Sequence, residues 1–141
     1  MKKILIINGP NLNLLGKREP EIYGEKTLKD IETECKKESK KNRIEVSFFQ
    51  SNSEGEIIEK LQNSDNYDGI IINAGAFTHT SIAIHDALKV INIPKIEVHI
   101  SNIYKREDFR KNSFISSVVD GIIAGFGTNV YLLAIKSLTN E

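Results

Sequence analysis

The sequence predicts an α/β fold: a three-layer sandwich around one five-stranded parallel sheet in the order 2-1-3-4-5. Three observations carry this. Short apolar runs alternate with stretches of helical periodicity about five times along 141 residues. Strands alternating with helices over that length imply a parallel sheet with right-handed crossovers. The run Ile70-Ile71-Ile72 is apolar throughout, as a parallel strand covered on both faces must be. Finally, three runs end in polar clusters: Asn8-Gly9-Pro10-Asn11, Asn73-Ala74-Gly75-Ala76 and His99-Ile100-Ser101-Asn102. In a parallel sheet all three emerge at the carboxyl edge, where open α/β sheets bind ligands.

Each element follows in order. Strand one covers residues 3–8, and the loop behind it carries Gly9, Pro10, Gly16, Pro20 and Gly24. Thr27 opens a helix with Asp30 three residues on, the two ends of a capping box. Leu28, Ile31 and Cys35 recur there at helical spacing, so one stripe of a charged helix is buried. Ile44, Val46 and Phe48 alternate with polar residues and run into Phe49, which reads as strand two. Ser53 and Glu56 predict a second capping box, with Ile57, Ile58 and Leu61 as the apolar stripe behind it. Strand three is residues 69–73. Residues 81–91 form the next helix, with Ile84, Ala87, Leu88 and Ile91 inward, until Ile93-Pro94 stops it. Strand four is residues 95–100, followed by a short helical turn over residues 106–111 and strand five over residues 121–124. Gly127 starts the last helix, which packs through Val130, Leu133, Ala134 and Leu138. Val118, Val119 and Ile122 read equally as core or as a subunit contact. In this flavodoxin-like order, strands one, three and four are neighbours, and they carry the three polar clusters.

Composition bounds the function. The length is that of one ordinary domain, taken as residues 1–141, with no repeat, low-complexity stretch or linker. No apolar run approaches the ~18 residues that cross a bilayer. Met1-Lys2-Lys3 leads straight into a β-like run without a signal peptide, and Cys35 is the only cysteine. A reducing cytoplasm is the expected setting. Nineteen acidic residues balance nineteen basic ones, which argues against a general nucleic-acid binder.

Several side chains can do chemistry. Residues 15–25 form a long loop with Lys17, Arg18, Glu19, Glu21 and Tyr23 between two glycines. It reads either as a solvated surface loop with one packed Tyr or as a lid that closes over a site. A tyrosine is mostly protonated at neutral pH, and an adjacent guanidinium favours the phenolate. Arg18 is the nearest candidate on this loop. His99 and Glu97 are two apart in a strand and share a face. A carboxylate beside an imidazole favours its protonated form and fixes its tautomer, as a general acid requires. A purely structural His–Glu hydrogen bond is the alternative. His79 reads as a ligand contact or a helix cap, and His85 as a surface or interface residue. Arg106 and Arg110, four apart, suit a carboxylate or phosphate. With Glu107 and Asp108 between them, they read first as a solvated salt-bridged face. The three histidines and Cys35 are too scattered for a metal site. The lysines are expected in charged, solvated contexts, unlike an imine-forming lysine in a desolvated pocket. Gly125-Phe126-Gly127-Thr128-Asn129 lacks the third glycine of a dinucleotide loop and reads as a tight strand-to-helix turn.

Longer motifs are more specific. The run from Ile7 to Gly16 with Arg18-Glu19-Pro20 and Tyr23-Gly24 resembles the opening of type II 3-dehydroquinate dehydratases. Residues 72–81, residues 96–102 with Arg106 and Phe109-Arg110, and the closing Gly121 to Gly127 with Tyr131-Leu132-Leu133-Ala134 resemble that family's other signatures, in order. The resemblance implies a shikimate-pathway enzyme of aromatic amino-acid biosynthesis, without cofactor or metal. It converts 3-dehydroquinate reversibly to 3-dehydroshikimate by anti-elimination through an enolate. By the same resemblance, Tyr23 is the base, Arg18 holds its phenolate, and Asn11 positions a water at the enolate. His99 protonates the departing hydroxyl, oriented by Glu97. Asn73, Gly75, Ala76, His79 and Arg110 bind substrate, with the Ile100 and Ser101 amides completing a carboxylate site and Arg106 on the lid side. Asp86 matches a residue supplied by a neighbouring subunit of a homododecamer built from trimers. His85 and Lys111-Asn112-Ser113-Phe114 depart from the commoner family pattern. A binding module for a nucleotide or flavin is the competing class, but Gly9-Pro10-Asn11 makes a poor phosphate loop because Pro10 has no amide to donate.

Overall fold

In the computed structural model, which describes residues 1–139, five strands pair in parallel in the order β2-β1-β3-β4-β5. They are β1 (Lys2–Asn8), β2 (Ile44–Gln50), β3 (Gly69–Asn73), β4 (Lys95–His99) and β5 (Gly121–Ala124). The helices are α1 (Pro20–Tyr23), α2 (Leu28–Lys41), α3 (Glu54–Gln62), α4 (Ile82–Lys89) and α5 (Asn129–Thr139). Asn8 registers with Asn73, and His99 sits two residues past the register of Ile72 with Glu97. The three polar clusters therefore leave one edge of the sheet, as the sequence predicts.

Period-two alternation builds two cores from one sheet. Ile4, Ile6, Ile71, Ile96 and Val98 face α2 and α5, where Ile31, Cys35, Val130, Tyr131, Ala134 and Ile135 meet them. Leu5, Ile7, Ile70 and Ile72 face α3 and α4, where Ile57, Leu61, Ile84 and Leu88 close the other layer. Burial pushes the Cys35 thiol up to about 12, with the nearby Glu34 and Glu32 adding to the shift, so it is an inert part of the core. Among the described residues, no helix is long and apolar enough to cross a membrane.

Local chemistry sets most of the boundaries. At the start of α2, Thr27 Oγ1 accepts from the Asp30 amide at 3.1 Å and the Thr27 amide donates to Asp30 Oδ2 at 3.0 Å, a complete capping box. The second predicted box forms only half. Ser53 Oγ accepts from the Glu56 amide at 3.2 Å, but Ser51 Oγ intercepts the Glu56 carboxylate and accepts from the Ser53 amide at 2.9 Å. Gly125 and Gly127 both take positive φ between β5 and α5, as a tight turn requires.

Three other expectations fail. Leu133 is exposed, because α5 turns Tyr131 and Ile135 inward instead. Residues 106–111 are not one helical turn; two short 3₁₀ segments, Ile103–Lys105 and Asp108–Arg110, flank Arg106. Lys95 is buried, not solvated: its ammonium donates to the Leu88 and Ile91 carbonyls at 2.9 and 2.6 Å, capping the end of α4. The two readings left open for Val118, Val119 and Ile122 divide: Val118 and Val119 pack against the α3–α4 core, and Ile122 is exposed.

The polar loops after β1 and β3 touch through a glycine. A Cβ on Gly9 would stand 2.3 Å from the Ala74 carbonyl oxygen, and the Gly9 amide donates to Asn73 O at 2.8 Å. Both neighbours are backbone and cannot rotate aside. Gly9→Ala is expected to cost ~1–3 kcal/mol or more as an overpacked contact, read as a lower urea midpoint; an unchanged midpoint refutes it.

Candidate active site

An open cleft lies over the carboxyl edge where the three clusters converge. Asn11 comes from the loop after β1, Asn73, Gly75, Ala76 and His79 from the end of β3, and His99, Ile100 and Ser101 from the end of β4. Arg18 and Tyr23 reach it from the residue 15–25 loop, and Arg106 and Arg110 from the segment after β4. Of the predicted set, Glu97 lies behind this wall, and exposed Asp86 on α4 does not line the cleft of its own chain.

The loop of residues 15–25 contains α1, which the lid reading did not foresee. Pro20 begins it and Gly24, at φ 83°, ends it, with Tyr23 half-buried against the α2–α5 core. Two guanidiniums flank the Tyr23 ring, Arg106 at 5.1 Å and Arg18 at 5.6 Å from its centroid. Only Arg106 reaches the oxygen: its Nη1 donates to Tyr23 Oη at 2.5 Å, and more distantly to Ser101 Oγ at 3.5 Å. The close cation partner of the Tyr23 oxygen is therefore Arg106, while Arg18 covers the ring face and pairs with Glu19 at 3.8 Å. Arg106 lies 83 residues from Tyr23, and no local spacing signals the pair.

At the β4 end, His99 Nε2–H donates to Glu97 Oε2 at 2.5 Å. Both residues are buried. This fixes the tautomer, leaves Nδ1 free of Glu97, and holds His99 in the wall of the cleft. Glu97 also accepts from Ser113 Oγ at 2.9 Å and from Ser116 Oγ at 2.5 Å. Burial alone would raise the Glu97 carboxyl, but the hydrogen bonds and charge of His99 and the two serine hydroxyls outweigh it and hold it below the usual range. The serines were not legible as site residues, because they lie 16 and 19 positions away in a segment without periodicity.

The remaining groups are held in place by the fold. Asn73 is buried; its Nδ2 donates to Tyr131 Oη at 3.0 Å and its Oδ1 accepts from the Gly75 amide at 3.2 Å. Tyr131 Oη donates to Asn8 Oδ1 at 2.6 Å, so a buried network orients the Asn73 amide. His79 Nδ1–H donates to Asn112 O at 2.7 Å, leaving Nε2 as an acceptor. Desolvation by burial, with minor help from His99 and Arg110, outweighs the Asn112 hydrogen bond and pushes the His79 imidazole toward its neutral form. His79 is not the cap of α4; Ser81 is, accepting from the Ile84 amide at 2.9 Å. His85 turns its ring onto the Phe114 carbonyl at 2.6 Å. Asn11, at φ 69°, anchors its amide to Asn52 Oδ1 at 2.9 Å and keeps its side chain at the cleft. Arg110 and Arg106 both reach Glu107, at 3.1 and 3.7 Å, and both line the cleft, so the salt-bridged pair is not a purely solvated face. Among the described residues, no group of three or more His, Cys, Asp or Glu side chains is arranged to hold a metal ion.

The arrangement offers a phenol with a cation on its oxygen and an imidazole with a carboxylate behind it, both on one cleft with arginines for an anion. That equipment moves two protons on a polar, anionic small molecule. A family model described as "Dehydroquinase class II" matches residues 2–139. The 3-dehydroquinate dehydratase of Prochlorococcus marinus strain MIT 9301 is 59% identical over 139 residues, covering 98% of this chain and 95% of the relative. The crystal structure of type II dehydroquinase from Butyrivibrio crossotus superposes with a TM-score of 0.97 at 48% identity, covering 99% of this chain and 98% of that one. The type II dehydroquinase of Propionibacterium acnes gives the same TM-score at 42% identity, covering 100% and 98%.

Proposed function

The chain belongs to the class II dehydroquinase family, and from that premise we propose how its residues divide the reaction. The enzyme dehydrates 3-dehydroquinate reversibly to 3-dehydroshikimate, a step of the shikimate pathway. Residues 1–141 act as a single catalytic domain. Tyr23, as its phenolate, takes the proton from carbon 2. The electron pair moves into an enolate, whose oxygen is stabilised by a water held at Asn11. The enolate then expels the hydroxyl on the opposite face as His99 protonates it, and water leaves.

Every proton transfer in this reading is made by a side chain of the protein. Arg106 is the cation hydrogen-bonded to the base, and Arg18 covers the ring. Glu97 holds the tautomer of His99. Asn73, Gly75, Ala76, His79 and Arg110 bind substrate hydroxyls and carboxylate, with the Ile100 and Ser101 amides completing the anion site. Asp86 serves the cleft of a neighbouring subunit within a homododecamer of trimers. The cytoplasm is the proposed site of action.

The observation that carries the reading is the pairing of Arg106–Tyr23 and Glu97–His99 on one cleft. Purified protein with 3-dehydroquinate should develop the ultraviolet absorbance of a conjugated enone. Absence of that absorbance refutes the activity. Light scattering on the same preparation should give the mass of a large oligomer; a fully active monomer refutes the assembly.

A further inference from the structure

We propose that Ser113 and Ser116 are positioning residues of the reaction, a two-hydroxyl clamp on the Glu97 carboxylate that holds the Glu97–His99 pair in its working geometry. The proposal rests on the reading of His99 as the general acid.

The clamp is built from both sides. Ser116 Oγ donates to Glu97 Oε1 at 2.5 Å, and Ser113 Oγ donates to Oε2 at 2.9 Å, the oxygen that also accepts from His99. Ser113 Oγ in turn accepts from the Ile115 and Ser116 amides at 3.0 Å each. The turn that carries the second serine is thus folded around the first. The segment is tied down from outside as well. His79 donates to Asn112 O at 2.7 Å, His85 to Phe114 O at 2.6 Å, and the Phe114 amide donates to Thr78 O at 2.8 Å. Ile115 between the serines is fully buried in the α3–α4 core. Both carboxylate oxygens are therefore held, and neither can rotate without breaking a charge-assisted bond.

The clamp also keeps Glu97 an acceptor. A carboxylate that loses such donors inside a protein becomes easier to protonate. Once protonated it no longer offers His99 a fixed anionic partner. The titratable groups that bear on the pair are few. His99 shares its strand, His79 approaches from the end of β3 with Arg110 beyond it, and His85 lies on α4. The strand neighbours in register, Ile72 and Ile122, are apolar.

Ser116→Ala is the clean variant, because Ser116 Oγ contacts Glu97 alone, whereas Ser113 Oγ also holds the turn. Charge-assisted hydrogen bonds are worth about tenfold or more in an equilibrium. In the native assembly Ser116→Ala is expected to lower kcat at neutral pH about tenfold with little change in KM. The acid limb of the kcat profile should move up by about one pH unit, since Glu97 then protonates at higher pH. Ser116→Thr, which keeps the hydroxyl, should restore both. Exchange of the carbon 2 proton with solvent deuterium should stay at the native level, because Tyr23 and Arg106 are untouched. Native kcat and a native acid limb in Ser116→Ala overturn the proposal. So does a loss shared equally by the Ala and Thr variants without displacement of the limb, which marks a packing role. Either result leaves the dehydratase reading standing if native protein forms the enone; failure of native protein to form it defeats that reading instead.

Discussion

Tyr23→Phe is expected to lose nearly all turnover while the fold and most substrate binding remain. The phenylalanine ring keeps the half-buried packing against the α2–α5 core and still lies between the Arg106 and Arg18 guanidiniums. Only the oxygen that accepts from Arg106 is removed. A positioned base is worth ~10²–10⁴ in rate, and the loss should appear in kcat more than in KM, because it belongs to the transition state. The carbon 2 proton should also stop exchanging with solvent deuterium. The two arginines provide an internal comparison. Arg106→Ala removes the hydrogen bond to the base and should cost more in kcat than Arg18→Ala, which removes a cation over the ring face. Near-native kcat in Tyr23→Phe assigns the base elsewhere and breaks the central assignment.

His99→Ala is expected to slow the reaction by a similar ~10²–10⁴-fold, but at the other half of it. Proton removal at carbon 2 depends on Tyr23 and Arg106, which hydrogen-bond each other, whereas His99 bonds Glu97. The variant should therefore still exchange the carbon 2 proton, if enolate formation is reversible, while enone absorbance rises slowly. It also leaves Glu97 a buried carboxylate without its histidine partner. Such a group protonates more readily, and an uncompensated buried charge costs stability, so a lowered melting midpoint near neutral pH is expected beside the kinetic defect. Loss of exchange and loss of product in equal measure would place His99 in the proton-abstraction step and contradict the division of labour between the two ends of the cleft.

Much of the site was legible because it is local. Glu97 and His99 are two residues apart in a strand, and the period of a strand alone puts them on one face. Asn11, Asn73, Gly75, Ala76, His79, Ile100 and Ser101 follow directly on strand ends, so parallel topology suffices to gather them. Arg110 was harder: Glu107 and Asp108 beside it looked like surface chemistry, and the resemblance to known signatures, not the spacing, pointed to the cleft. The roles of Arg18 and Arg106 separated only in three dimensions. Both line the cleft near Tyr23; sequence proximity points to Arg18, whereas Arg106 hydrogen-bonds the oxygen.

By itself the sequence determined what depends on periodicity and short-range chemistry. The parallel sheet, its order, the two helical layers, the Thr27–Asp30 cap and the common edge of the polar clusters all follow from apolar patterning and residues a few positions apart. The tertiary structure alone decided which groups meet across long separations. Arg106 on the Tyr23 oxygen, Ser113 and Ser116 on Glu97, Tyr131 between Asn8 and Asn73, and the buried ammonium of Lys95 are all of this kind. Each is a polar group removed from water that needs a partner. The chain can specify that a partner is required, but which one satisfies it depends on how separate segments pack, and that packing has no period to read.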